Sequence, residues 1–222
     1  MDKENIQRKC IENIRNSYLI GFALVNFIIY GFYLFVYFGA GVKGEIPLYM
    51  KCYIGMSILL WLVLYIQEKG ILLPNYNEKN YKSRLIIYYS VNLLSGYNIP
   101  FLISSAYVFY FSGSRDDAFD YWLIIAGLII MSAIGLFLFC CGEFEIFNDK
   151  NNSIEKFCGI IMVIFSFVGL FYLSMIIPVD SEENKIIWMG MIMLICSHLL
   201  IGRSYFYLSI FNMYSKENGV DL

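Results

Sequence analysis

Residues 121–141 read YWLIIAGLIIMSAIGLFLFCC, and no charged residue interrupts them. A helix rises 1.5 Å per residue, so this stretch reaches about 31 Å, enough for the roughly 30 Å hydrocarbon core of a bilayer. Working outward, five more apolar blocks of similar length occur at 18–40, 47–66, 85–111, 158–177 and 186–206. Composition agrees. Of 222 residues, 59% are hydrophobic and 15% charged, against about 45–50% and 25% in soluble domains. A lipid-exposed open sheet would leave backbone groups unpaired, so all six blocks are read as helices. The expected fold is an all-α, polytopic membrane protein with six transmembrane helices.

Lys and Arg set the orientation. Lys3, Arg8, Lys9, Arg15, Lys69, Lys79, Lys82, Arg84, Lys150, Lys156, Arg203 and Lys216 fall on one side of the spans, and only Lys43, Lys51, Arg115 and Lys185 on the other. Positive residues stay inside, so both termini are expected in the cytoplasm and the chain in the cell (plasma) membrane. The start, MDKENIQRKCIENIRNSYLI, has a long charged lead before a long span, so no cleavable signal is expected. Within it Ile6, Cys10 and Ile14 recur at a spacing of four with Ile11 beside them, the pattern of an amphipathic helix lying in the membrane interface. The organisation that follows is a cytoplasmic elbow helix at 1–17, a six-helix transmembrane domain at 18–211 and a cytoplasmic tail at 212–222.

Several chemistries are disfavoured. A net charge of −2 gives no footprint for nucleic acid. The six cysteines show no C-x-x-C spacing, which argues against zinc and redox sites. Cys140-Cys141 sits at a span end, where palmitoylation and plain packing are both open. One histidine cannot make H-E-x-x-H, and no G-x-x-x-x-G-K-[ST] loop binds ATP here. The chain itself is therefore not expected to be an enzyme, and no cofactor is expected on it. The small residues Gly127, Ser132, Ala133 and Gly135 would allow close helix contact in span four.

Two places in the spans carry polarity. Span three, 85–111, would run about 40 Å as a straight helix, longer than the core. Its middle, SVNLLSGYNIPFLISS (90–105), places Asn92, Ser95 and Asn98 at membrane depth beside Pro100, which removes a backbone bond. A broken helix here either lines a translocation path or packs against its neighbours. His198 lies inside span six, where an ionisable group is a functional candidate; the alternative is a neutral histidine hydrogen-bonded next to Ser197. Arg203 is read as an anchor that snorkels to the interface.

The loop QEKGILLPNYNEKNYKSR, 67–84, is the longest charged run away from the ends. Pro74 stops the helix of span two. Asn77 is placed to cap a short new helix with Glu78 in its first turn and Lys82 and Arg84 at its far end. Such a helix would cross the cytoplasmic face and could take a push from a soluble partner.

These residues carry a family resemblance. The loop resembles the connection between spans two and three of the small six-span ABC-2-type ABC transporter permeases. There an acidic residue closes span two, a Leu-Pro pair follows, and a Ser and a basic residue open span three. Here Glu68, Leu73-Pro74 and Ser83-Arg84 stand in those places; the gap from Glu68 to Leu73 is shorter, and the run 75–79 lacks the early basic residue. The resemblance implies a homodimer, or a pairing with a sibling permease, in the lipid bilayer. It also implies a soluble ABC ATPase subunit, carrying ATP and Mg, that docks on Glu68, Pro74, Asn77, Glu78, Lys79, Lys82 and Arg84. Size and minimal outside loops are similar to permeases of the phenol-soluble-modulin type, which implies amphipathic peptide cargo passing Asn92, Ser95, Asn98, Pro100 and His198. Two other readings stay open: a self-contained oligomeric channel or toxin-immunity protein, and an intramembrane enzyme using His198.

Overall fold

The computed structural model describes residues 3–39, 46–71, 80–111, 118–144, 146, 153–177 and 184–216. Its elements are α1 (Lys3–Arg15), α2 (Leu19–Gly39), α3 (Leu48–Lys69), α4 (Tyr81–Ser104), a 3₁₀ turn (Ser105–Tyr107), the single-turn α5 (Val108–Phe111), α6 (Ala118–Phe144), α7 (Ser153–Ile176) and α8 (Asn184–Lys216). No strand occurs among the described residues. Six helical segments are long and apolar enough to cross a membrane. The protein is all-α with six transmembrane helices.

The arrangement centres on α4, which packs against α8 most extensively and also touches α1, α2, α3 and α6. The α6–α7 pair is the other large contact. It closes through glycine: a Cβ added at Gly159 would lie 2.5 Å from the Gly135 carbonyl oxygen and 2.6 Å from the Phe139 nitrogen. Only a residue without a side chain lets two backbones come this near. The outer faces of α2, α3 and α7 show large apolar side chains, among them Phe35, Met56 and Phe165, as lipid contact requires.

α3 ends by a mechanism written in its last residues. Gly70 adopts φ +63° and donates to the Gln67 carbonyl, while Ile71 donates to the Ile66 carbonyl. This double closure satisfies carbonyls that the helix leaves open and favours glycine at the left-handed position.

Four features differ from the sequence expectations. The third span is one helix that continues through Pro100 and tightens only at 105–107. Side chains hold the surrounding carbonyls: Asn26 Nδ2 donates to Ile99 O at 2.9 Å, Tyr30 OH to Leu102 O at 2.5 Å and Ser105 OH to Phe101 O at 2.6 Å. Next, α1 does not rest on lipid by its apolar face. Cys10, Ile11 and Ile14 are buried in one cluster with Tyr81, Leu85 and Tyr88 of α4 and Phe211 of α8, since neighbouring helices offer a tighter surface for packing than lipid does. Third, two residues expected at the far end of a short helix before span three stand elsewhere; Asn80, where the described residues resume, has 3₁₀ geometry. Lys82 and Arg84 belong to the start of α4 itself, while Pro74, Asn77, Glu78 and Lys79 lie outside the described residues. Last, α8 runs on to Lys216, past the expected boundary at 211.

Candidate functional site

Polar side chains gather at two levels of the bundle. The first level is the end where α1 turns into α2. A helix leaves its last carbonyls unpaired, and here three spans supply the donors. Asn92 Nδ2 donates to Ile14 O at 2.6 Å, Gln67 Nε2 to Arg15 O at 3.4 Å and Arg203 to Asn16 O at 3.2 Å. The cation of Arg203 at the negative end of α1 also complements the helix dipole. Gln67 and Asn92 are joined at 2.8 Å, and Asn92 reaches Ser204 at 3.3 Å. Arg203 further donates to Asn13 Oδ1 at 2.9 Å and lies over the rings of Tyr18 and Tyr207. It is built into the junction, not an anchor reaching for the interface.

Glu68 completes this level. Its carboxylate accepts from Ser17 OH at 2.6 Å and from the Ile20 amide at 3.4 Å. Both groups belong to the start of α2, where orphan amides and the positive dipole end favour an anion. The turn between the helices holds Tyr18 at φ 62°, a conformation a non-glycine residue adopts only when its surroundings enforce it. Glu68 thus faces inward and ties the last turn of α3 to the α1–α2 junction.

The second level lies near the middle of the spans. Asn98 Oδ1 accepts from Tyr53 OH at 2.7 Å and from Ser57 OH at 3.2 Å, both on α3. Beside it a cleft of about 520 Å³ is walled by Met56, Leu60 and Val63 of α3, floored by Leu94 of α4 and faced by Ile130 of α6. Met56, Leu94 and Ile130 are themselves exposed on the bundle surface, so the cleft opens sideways. Tyr53 and Phe101, which also line it, belong to a ring cluster with Tyr49, Phe119 and Trp122 at centroid distances of 4.9–6.0 Å. A volume in this range suits a small apolar ligand.

The expected path residues do not form one path. Asn98 lines the cleft, but Asn92 belongs to the α1 junction. Ser95 is fully buried. Pro100 meets α8, its carbonyl oxygen 3.3 Å from where a Cβ of Gly190 would stand. His198 pairs across helices: Nε2 is 3.1 Å from Ser132 OH on α6, not bonded to Ser197, and Tyr97 and Phe167 present ring edges to it. No third polar group completes this pair and no cluster of His, Cys, Asp and Glu able to hold a metal occurs among the described residues. Cys140 is buried and Cys141 half-buried.

Residues 6–221 match a family described as a domain of unknown function, DUF5079. The chain belongs to the DUF5079 family. No curated protein and no solved structure matches it. For this DUF5079 chain the polar residues at the two levels therefore carry the functional reading. Sequence reasoning passed over Asn26, Tyr53, Ser57, Gln67 and the inward role of Glu68. Asn26 carried the signal that singled out Asn92, an amide inside an apolar block, and Gln67 lay one residue from the acid already noted.

Proposed function

We propose that this protein is the transmembrane subunit of an ABC-type exporter, working as a homodimer or with a sibling subunit in the cell membrane. Both termini face the cytoplasm, and a separate soluble ATPase supplies ATP hydrolysis. The cargo is amphipathic or apolar. The observation that carries this reading is the bond between Glu68 and the α1–α2 junction. The acid at the start of the charged stretch, in the last turn of α3, is fixed to the elbow, and its neighbour Gln67 is bonded through Asn92 to the central helix. A push on the loop would reach α1, α2 and α4 together. The loop resemblance and the bias of Lys and Arg toward this end support the same assignment. The sideways-open apolar cleft offers cargo a way in from the bilayer.

The test is a pull-down from the native membrane in detergent. A soluble ATPase should co-purify with the intact chain and fail to co-purify when residues 75–82 are replaced by a Gly/Ser run. Equal recovery from both would remove the docking role of the loop. Absence of any ATPase would remove the exporter reading. Cysteines placed at 75 and 150 should label from the cytoplasm, and those at 116 and 181 from outside.

A further inference from the structure

Among the buried polar atoms with no hydrogen-bond partner among the described residues are Asn98 Nδ2, Trp61 Nε1, Asn26 Oδ1 and Ser95 Oγ. All four residues are at least nine-tenths buried. Atoms of this kind are uncommon, and each needs an explanation. Burying such a group unpaired costs about 1–3 kcal/mol.

The helix register brings them together at the junction of α2, α3 and α4. The bond from Ser57 to Asn98 aligns α3 with α4, and these two run in opposite directions. One turn along α3 from Ser57 is Trp61; one turn back along α4 from Asn98 is Ser95. Those two therefore share a level. The bond from Asn26 to Ile99 O fixes α2 beside the Asn98 level. It also fixes which end of the Asn26 amide is free, because Nδ2 must face the carbonyl. Ala23, one turn back on α2 toward the level of Ser95, is small and buried. The two levels are a helical turn apart, about 5 Å. A single molecule between them would lie at hydrogen-bond distance, about 2.8–3.0 Å, from both.

The inventory of the site has a defined chemistry. Asn98 and Trp61 offer N–H donors, while Asn26 and Ser95 offer oxygen acceptors. Two donors and two acceptors match the tetrahedral capacity of one water. The geometry points to a water-binding site at the α2–α3–α4 junction, held by Asn26, Trp61, Ser95 and Asn98. Buried waters make two to four such bonds to groups that are otherwise unpaired. Of its four residues only Asn98 also lines the apolar cleft, and the site does not depend on the exporter reading: it would exist in a channel or an enzyme of the same fold.

Trp61 is the reporter. In a full-length protein with Trp122→Phe and Trp188→Phe, it is the single tryptophan. Two measurements apply in nanodiscs: the resonance Raman marker of indole N–H bonding, and NMR magnetisation transfer from water to the Trp61 indole proton. The expected result is a hydrogen-bonded indole with a direct water cross-peak. Ser95→Ala should keep the bonded marker, because Asn26 and Asn98 still hold the water. The pair Asn26→Leu with Asn98→Leu should lose it. A non-bonded indole or no water cross-peak in the single-tryptophan protein would overturn the site, whatever the variants do. Loss on Ser95→Ala alone would mean a direct Trp61–Ser95 bond and would also overturn it.

Discussion

The α6–α7 pair and the central helix α4 solve the same problem in opposite ways. The most apolar stretch of α6 is 28% buried, whereas that of α4, the least apolar of the six spans, is 44% buried. In water the ranking would run the other way. In lipid, apolar side chains gain little by leaving the bilayer, so burial follows polarity and small size. α6 and α7 meet through the missing side chains of Gly135 and Gly159. α4 meets its neighbours through Asn92 and Asn98, whose amides bond to residues of α1, α3 and α8. One contact is made of shape and the other of hydrogen bonds, and the two should fail differently.

The contact of shape should give the largest loss. In Gly159→Val the new side chain would meet Gly135 O and Phe139 N, which are backbone atoms and cannot rotate aside. Overpacking costs about 1–3 kcal/mol, and a backbone clash belongs at the upper end. The expected outcome is a fall in thermal stability in detergent and a poor monodisperse yield. Gly127→Val, on the same pair but with open space at its Cβ position, should be close to neutral. Similar losses for both would show that close approach at Gly159 is not what holds the pair.

The contact of hydrogen bonds should give a smaller loss that is confined in space. Asn92→Leu removes donors to Ile14 O and Ser204 and the acceptor for Gln67. Side-chain bonds between membrane helices average about 0.6 kcal/mol and reach about 1.7, so the sum should be about 1–2 kcal/mol. The effect should appear at α1, because the carbonyl freed is at its end. Cys10 lies on the buried face of that helix, against α4 and α8. With the other cysteines replaced by serine or alanine, Cys10 should react with a thiol reagent several times faster in Asn92→Leu. An unchanged rate would mean that α1 is held by its apolar face alone.

The same contrast explains what could be read from the chain. The spans were legible because runs such as 121–141 leave no alternative at membrane depth, and the periodicity of Ile6, Cys10 and Ile14 located α1. The surface that α1 covers was not legible, because an apolar stripe looks the same whether lipid or α4 lies beneath it. Asn92 and Asn98 stood out as amides in an apolar block, yet nothing in their spacing told that one meets α1 and the other α3. Glu68 was noted as the acid closing span two. That it turns inward depends on Ser17 and Ile20, 51 and 48 positions away in sequence. Pro100 misled by its usual effect: Asn26 and Tyr30, from another helix, bond to the carbonyls on either side of it.

The smallest effect should come from the Asn98 level, where partners are redundant. Asn98 Oδ1 accepts from both Tyr53 OH and Ser57 OH, and the Ser57 hydroxyl also reaches the Tyr53 carbonyl of its own helix at 2.9 Å. In Ser57→Ala the oxygen keeps the shorter bond, from Tyr53, and no acceptor is stranded. The loss should be at or below the membrane average of about 0.6 kcal/mol. Tyr53→Phe should weaken the bundle slightly more, because it removes that shorter bond while the ring keeps its contacts with Phe101 and Trp122. The informative measurement is the pair. With both hydroxyls gone, Asn98 Oδ1 has neither donor, and an unpaired buried acceptor is penalised beyond the sum of two weakened bonds. Residues sharing one partner are where additivity fails. The double variant should lose more stability than the two single variants together, read from thermal unfolding of the four proteins in the same detergent. Strict additivity would mean that Asn98 Oδ1 finds another donor once both hydroxyls are gone.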